Sequence, residues 1–124
     1  MNTKKQGDAG VGSAIAYFTQ CGYTVSIPLT DSQDYDLVVD IDGKLNRVQV
    51  KTSRCSEKSG IYKVNLRVLG GNRSGTGKVK HFDSSLVEYV YILVENGDRY
   101  FIPTSAIESK SYISVGQKYL EYKV

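Results

Sequence analysis

The chain has 124 residues, which is enough for one domain with its own hydrophobic core, and we predict a single domain over residues 1–124. Hydrophobic residues at 40% and charged residues at 23% are ordinary values for a globular protein. No apolar run approaches the ~20 residues of a membrane-spanning helix, and the N-terminus lacks a signal-peptide core. We therefore expect no membrane partner and a cytoplasmic location, with Cys21 and Cys55 as buried, reduced thiols.

The positive charge is concentrated in one segment. Between Glu57 and Asp83 the sequence has six basic residues and no acidic one, although the whole chain has a net charge of only +3. Such a segment is typical of a protein that binds a polyanion, and an ordinary solvated basic loop explains it equally well.

The N-terminal region predicts a helix over residues 7–21. Val11, Ile15 and Phe18 recur at helical spacing, and Gly22 fits the position just beyond the helix end. Glycines lower helix propensity, so the three in the first turns indicate close packing against another backbone. These glycines are Gly7, Gly10 and Gly12.

The rest of the chain predicts strands. They are YTVSIP, a hairpin over 35–52, the alternating IYKVNLRV, and VEYVYILVE, which NGD turns into RYFIP. VEYVYILVE should be central and buried on both faces, whereas LGGNRSGTGKVK should be a mobile loop. A helical turn near Ala106 and a strand or helix at 117–123 complete the chain. The predicted fold class is α/β in the broad sense (α+β), with the N-terminal helix packed on a mixed β-sheet of about five or six strands.

The hairpin brings polar side chains together. Asp42-Gly43 is a strong signal for a two-residue turn, and pairing across that turn places Asp36 opposite Gln49. The apolar face then consists of Leu37, Val39, Ile41, Val48 and Val50. The opposite face consists of Asp36, Val38, Asp40, Arg47, Gln49 and Lys51.

This arrangement is suited to a hard metal cation. Asp36 offers a carboxylate, Gln49 an amide oxygen and Val50 a backbone carbonyl, which are the oxygen ligands that Mg²⁺ prefers. Lys51 could pair with a scissile phosphate or polarise the attacking water. The spacing alone is loose, and a plain solvated hairpin face is the alternative that it favours.

The same residues resemble a known family. DLVVDIDGKLNRVQVKTSR looks like the catalytic core of the PD-(D/E)XK nucleases, with Gln at the position where most members have an acid. The lead-in KQGDAGVGSAIAYFTQCGYTVSIPLTDSQDYD and the later YVYILVENGDRYFIPTSAI resemble the branch of group I intron-encoded, restriction-fold homing endonucleases. The resemblance covers residues 4–54 well and 87–107 loosely.

The resemblance implies a restriction-endonuclease-like core, with Asp36 as the metal-binding acid, Gln49 at the second acidic position and Lys51 as the catalytic lysine. It implies a Mg²⁺-dependent DNA endonuclease, with Mn²⁺ as a possible substitute, that cuts both strands of double-stranded DNA as a homodimer or homotetramer. The expected location is the cytoplasm of a bacterial or phage-infected cell, at the nucleoid. A Holliday-junction resolvase-like nuclease and a catalytically inactive nucleic-acid-binding module are the alternatives.

One position departs from the family pattern. Related nucleases often have a Glu on the first helix, and the aligned residue here is Val11. Asp8, one turn earlier, is the nearest acid and is predicted to take part in catalysis, although a helix-capping or helix-dipole role explains it as well. A site with a single firm carboxylate implies weak metal binding or lost activity as further alternatives.

Basic and polar side chains outside the hairpin are predicted to contact DNA, mostly at phosphates, which position DNA without reading its sequence. They are Lys4, Lys5, Arg54, Lys58, Arg67, Asn72, Arg73, Lys78 and Lys80. The lone His81 is predicted to be a surface residue with no catalytic role.

Overall fold

A computed structural model describes residues 1–70 and 78–124. Within them lie one α-helix, α1 (Thr3–Gln20), two 3-10 helices (Thr104–Ala106 and Leu120–Tyr122) and ten strands. The strands are β1 (Thr24–Ser26), β2 (Leu37–Ile41), β3 (Lys44–Ser53), β4 (Cys55–Lys58), β5 (Ile61–Asn65), β6 (Val68–Gly70), β7 (Lys78–Lys80), β8 (Tyr89–Val94), β9 (Arg99–Pro103) and β10 (Tyr112–Val115).

Three sheets form from these strands. The main sheet has five strands in the order β1-β2-β3-β8-β9, and it is mixed because β3 and β8 run parallel while their neighbours pair antiparallel. A second sheet has the order β10-β5-β4, and β6 pairs with β7. The predicted class, a helix packed on a mixed sheet, is confirmed, whereas β4 and β10 were not predicted.

The helix begins four residues earlier than predicted. The side chain of Asn2 caps it by accepting a hydrogen bond of 2.9 Å from the Lys5 N–H. At the other end Gly22 adopts φ +84°, and the Tyr23 N–H donates to the Phe18 carbonyl at 3.0 Å. This is a Schellman motif, so the glycine acts as the predicted terminator.

Gly10 explains why the helix lies so close to the sheet. A Cβ at this position would lie 2.5 Å from Cγ2 of Thr52 and 3.1 Å from Cγ1 of Val50, so only glycine fits without a shift. The predicted close approach is confirmed here, against side chains rather than backbone. It is wrong for Gly7 and Gly12, which face open space.

The central strand β8 is covered on both faces, as predicted. Its Tyr91 packs in the cluster that joins α1 to the main sheet. Val90, Ile92 and Val94 belong to a second cluster on the other face, where the β10-β5-β4 sheet contributes Val64 and others. The main sheet is therefore the middle layer between a helix and a small sheet, and this packing fixes the position of β3.

Two expectations need correction. The segment 69–80 is not wholly a loop, because Val68–Gly70 pairs with Lys78–Lys80. Cys21 and Cys55 are exposed thiols rather than buried ones. Of the strand and the helix considered for residues 117–123, the structure has the helix, a short 3-10 helix at Leu120–Tyr122, and the helical turn at Ala106 is confirmed. None of the described helices is both long and apolar enough to cross a membrane.

Candidate active site

The β2–β3 hairpin has the predicted register. Leu37 pairs with Val48 and Ile41 with Lys44. The turn has φ +53° at Asp42 and +89° at Gly43, both in the left-handed region that this two-residue loop requires. The polar face of β3 therefore presents Gln49 and Lys51 side by side at the end of the hairpin farthest from the turn.

Asp36 precedes β2 and is held against β3 by two hydrogen bonds. Its N–H donates to the Val48 carbonyl at 2.9 Å, and its Oδ2 accepts the Val50 N–H at 2.7 Å. These two partners flank Gln49, so Asp36 lies beside that residue, although the regular ladder already ends at Leu37. One carboxylate oxygen is fixed by the backbone, and Oδ1 has no hydrogen bond to any described residue.

The Val50 carbonyl faces the same space as Asp36. On β3 the carbonyls of Arg47 and Ser53 face the β8 side and accept hydrogen bonds from the two residues that flank β8, at 2.9 Å from the Glu88 N–H and 3.0 Å from the Glu95 N–H. Backbone groups alternate sides along a strand, so those of Val50 point the other way, where its N–H already meets Asp36. Strand β2 begins only after Asp36, so no ladder partner among the described residues faces this carbonyl.

Gln49 is 7% exposed, and its amide makes no hydrogen bond within the described parts of the chain. In the same parts every fully buried side-chain nitrogen or oxygen atom has a hydrogen-bond partner. The small remaining exposure therefore reaches the amide itself, which stays open to solvent or to a ligand. A buried polar group usually has a partner, so an open amide in this position is consistent with a ligand site.

Lys51 is the cation of the site. Its Nζ donates to the Arg67 carbonyl at 2.9 Å. Burial lowers the pKa of Lys51, and the charge of Asp36 opposes that shift. Burial raises the pKa of Asp36, against the Val50 N–H and the charge of Lys51. Both groups are thus moved toward their neutral forms, a pattern typical of functional sites.

The donor set fits a hard divalent cation. Asp36 Oδ1, the Gln49 amide oxygen and the Val50 carbonyl are three oxygen donors that could hold such an ion, and water and phosphate oxygens could complete its coordination. The described residues contain no group of three or more His, Cys, Asp or Glu side chains suited to a metal. Of the three oxygen donors, only Asp36 offers a carboxylate, and oxygen donors are the kind that hard divalent cations prefer.

Asp8 lies in the second turn of α1 and is exposed. The cap of this helix is Asn2, so the capping role considered for Asp8 is wrong. The Asp8 carboxylate makes no hydrogen bond or salt bridge within the described structure. Val11 is half-buried against the helix–sheet cluster. A catalytic role for Asp8 stays a prediction without a supporting contact.

The predicted DNA-contact residues that the structure describes lie on several elements, among them α1, β4 and β7. Lys4, Lys5 and Lys58 are exposed, as is Arg54, whose guanidinium donates to the Met1 carbonyl at 2.9 Å. Lys80 forms a 3.0 Å salt bridge with Asp34, in the loop that leads to Asp36. Lys78 is the first residue of β7, His81 is exposed, and Asn72 and Arg73 lie outside the described residues. Binding by any of these residues stays a prediction.

Two features of the site were missed from the sequence. Arg47, on the predicted polar face, pairs with Glu88. The Glu88 carboxylate accepts hydrogen bonds from Nη2 of Arg47 at 2.5 Å and from its backbone N–H at 2.7 Å. The partner of Lys51 is a backbone carbonyl, that of Arg67, which no residue-type pattern could reveal.

Comparison with known proteins supports a nuclease. The model of the family described as PD-(D/E)XK endonuclease matches residues 1–120. The solved structure of the bacterial homing endonuclease I-Ssp6803I matches with a TM-score of 0.72 and 30% identity, over 98% of this chain and 87% of that one. Protein 5.3 of Escherichia phage T7 is 37% identical over 75 residues, which are 60% of this chain and 64% of that protein. The match thus spans under two thirds of the phage protein, whereas the family match spans nearly the whole chain. The chain belongs to the PD-(D/E)XK endonuclease family.

Proposed function

We propose that the protein is a Mg²⁺-dependent DNA endonuclease that hydrolyses phosphodiester bonds, with homing-type cleavage of double-stranded DNA. The observation that carries the proposal is the end of β3, where Asp36 and Lys51 flank a Gln49 amide that has no hydrogen-bond partner among the described residues. Burial raises the pKa of Asp36 and lowers that of Lys51, so the neutral form of each side chain is favoured. PD-(D/E)XK nucleases generally use divalent metal ions. The three oxygen donors at Asp36, Gln49 and Val50 suit that use.

The residues have distinct tasks in this proposal. The Val50 N–H fixes one oxygen of Asp36, so that the other oxygen, the Gln49 amide and the Val50 carbonyl would hold the ion. A bound Mg²⁺ would polarise the scissile phosphate and lower the pKa of a water molecule. Lys51 exchanges the Arg67 carbonyl for a phosphate oxygen when DNA binds, because a charged acceptor forms the stronger hydrogen bond.

One site per chain cuts one strand, so we propose a homodimer or homotetramer that brings two sites to a duplex. Mn²⁺ is proposed as a substitute for Mg²⁺ because it shares the oxygen-ligand preference. The proposed location is the cytoplasm of a bacterial or phage-infected cell, at the nucleoid, where the DNA substrate lies.

A second candidate is favoured by one observation. Val11 occupies the helix position where related nucleases often have a Glu, and the site retains a single carboxylate. A protein with this departure that still binds DNA but does not cut it would be a nucleic-acid-binding module on the nuclease fold.

The test uses a plasmid library of bacterial and phage genomic fragments, beside a synthetic four-way junction. Each substrate is incubated with the protein in Mg²⁺, Mn²⁺ or chelator, and cut ends are captured and sequenced. The proposal predicts double-strand ends at defined sequences in Mg²⁺ and Mn²⁺ and none in chelator. Cleavage confined to the junction would establish the resolvase-like alternative. Binding without cleavage would establish the inactive module.

A further inference from the structure

Two cationic side chains lie against the ring of Tyr112 on the β10-β5-β4 sheet. Tyr112 lies on β10 opposite Asn65 of β5 and is 37% exposed. The Lys63 Nζ lies 4.3 Å from the centre of its ring, and the guanidinium carbon of Arg67 lies 4.8 Å from it. The Arg67 guanidinium also donates a hydrogen bond to the Tyr112 hydroxyl. Two positive charges are therefore held at one aromatic side chain.

Neither of these cations is neutralised by an acid within the described residues. The N–H and Nε of Arg67 donate to Oδ1 of Asn65, at 2.9 Å and 3.3 Å, so its side chain is held by neutral partners. Glu57, on the same surface, accepts a hydrogen bond from the Ser114 hydroxyl. By contrast, Lys80 has Asp34 as its partner. The two charges at Tyr112 repel each other weakly, and an anion bound between them would remove that repulsion.

The cluster is connected to the active site through Arg67. The carbonyl of Arg67 accepts the hydrogen bond of Lys51, while its side chain reaches Tyr112. A groove of about 380 Å³ runs beside this connection, lined by Thr52, Arg54 and Lys63 among others. Thr52 lines this groove from the helix-facing side of β3, and Lys63 and Tyr112 line it from the β10-β5-β4 sheet. The link to Lys51 therefore runs through the backbone of Arg67.

We propose that Lys63 and Arg67, positioned by Tyr112, form a cradle for backbone phosphates of duplex DNA next to the scissile phosphate. This inference rests on the proposed function, and it adds Lys63 and Tyr112 to the interface. Tyr112 is a positioning residue: its ring and hydroxyl orient the two cations, and the cations contact the phosphates. Cation–π contacts at exposed sites are weak, so they orient the cations without neutralising them.

The test measures how binding depends on salt, which needs no knowledge of the target sequence. Anisotropy of a labelled 30-base-pair duplex is titrated in chelator at several KCl concentrations from 50 to 200 mM. Each lost phosphate contact lowers the slope of log K against log salt by about 0.9. We therefore expect Lys63→Gln and Arg67→Gln each to lower the slope by about 0.9, and the double variant by about 1.8.

Lys44→Gln is the matched control. Lys44 is exposed at the turn end of β3, seven residues and about 23 Å from Lys51, and should leave the slope unchanged. Tyr112→Phe keeps the ring and its packing but loses the hydroxyl bond to Arg67, so it should weaken binding less than Tyr112→Ala. The Phe variant keeps the test decisive if a charge variant fails to fold.

The outcomes separate the two proposals. If the wild type binds the duplex and the Lys63 and Arg67 variants keep its slope, the cradle is wrong and the proposed function stands. Slope losses in Lys44→Gln equal to those in the cluster variants would mean that only net charge matters, which also overturns the cradle. A wild type that binds no duplex overturns the proposed function and the cradle together.

Discussion

Strand β3 has two charged pairs on one polar face, and they behave in opposite ways. At the turn end Arg47 meets Glu88, and hydrogen bonding between them raises the pKa of Arg47 and lowers that of Glu88, so both charges are favoured. At the other end, burial raises the pKa of Asp36 and lowers that of Lys51, so both charges are disfavoured. Arg47 and Lys51 are only four positions apart along β3.

The difference separates a pair whose charges are satisfied within the protein from a pair whose charges a ligand could satisfy. Glu88 satisfies both the side chain and the backbone N–H of Arg47, so nothing is left for a ligand to gain. Asp36 and Lys51 bond only to backbone groups, and their charges become fully favourable when a cation and an anion arrive. Proteins retain such a local cost mainly where binding or catalysis uses it.

The largest expected effect belongs to Lys51. Lys51→Ala should lower the cleavage rate at least about 100-fold, because it removes a positive charge that would stabilise the negative charge developing on the phosphate in the transition state. The melting temperature should hold, since the buried charge that is removed was disfavoured. Glu88→Gln, at the Arg47–Glu88 pair, is the control and should cleave at the wild-type rate. Equal losses in both variants would erase the distinction between the two ends of the strand.

The packing that positions the Lys51 end of β3 is tested next. Gly10→Ala forces a methyl group against Thr52 and Val50 and should lower the free energy of unfolding by about 1–2 kcal/mol, seen as a lower melting temperature. Gly12→Ala points into open space and should raise it by about 0.5–1 kcal/mol through helix propensity. Equal stability of the two variants would show that α1 does not press on the end of β3.

The pH dependence of stability should have opposite signs at the two pairs, in chelator. The lowered pKa of Glu88 gives stability that is present above the ordinary value of 4.5 and is lost as pH falls through the folded-state pKa. The raised pKa of Asp36 gives stability that is present below 3.8 and is lost as pH rises through the folded-state pKa.

Two substitutions separate these contributions. Relative to the wild type, Asp36→Asn should gain stability as the pH rises above 3.8, while Glu88→Gln should lose stability as the pH rises toward 4.5 and beyond. Melting curves at a series of pH values measure both differences. Differences that change with pH in the same direction would contradict the opposite roles of the pairs.

The hairpin and its site could be predicted because the local chemistry is strong. Asp42-Gly43 demands one turn type, and a slip of one residue would expose Leu37 and Val39, so the register follows from burial. That register placed Asp36, Gln49 and Lys51 together before any fold was known. The buried run of β8 was predictable for the same reason, since only a central strand is apolar on both faces.

The remainder depends on contacts between distant parts of the chain. The Arg67 carbonyl meets Lys51 only because β5 packs beside β3, and Tyr112 joins that region through β10, a strand with little sequence signal. In the sequence Arg47 and Lys51 are both basic residues on the same face of β3. They are distinguished only by the fold, which places Glu88, the residue before β8, in a salt bridge with Arg47. Backbone partners and cross-chain pairs of this kind carry no residue-type pattern.

The central claim is that Asp36 and Gln49 share one ion. Gln49→Glu would place two carboxylates together, which is repulsive without a cation and raises one of their pKa values. Thermal melting of the wild type and Gln49→Glu is measured in chelator and across a Mg²⁺ titration at constant ionic strength. We expect the variant to melt lower in chelator and to be stabilised more steeply by Mg²⁺, since an ion that binds only the folded state stabilises it by mass action. Identical responses of the two proteins to Mg²⁺ would show that Asp36 and Gln49 do not share an ion.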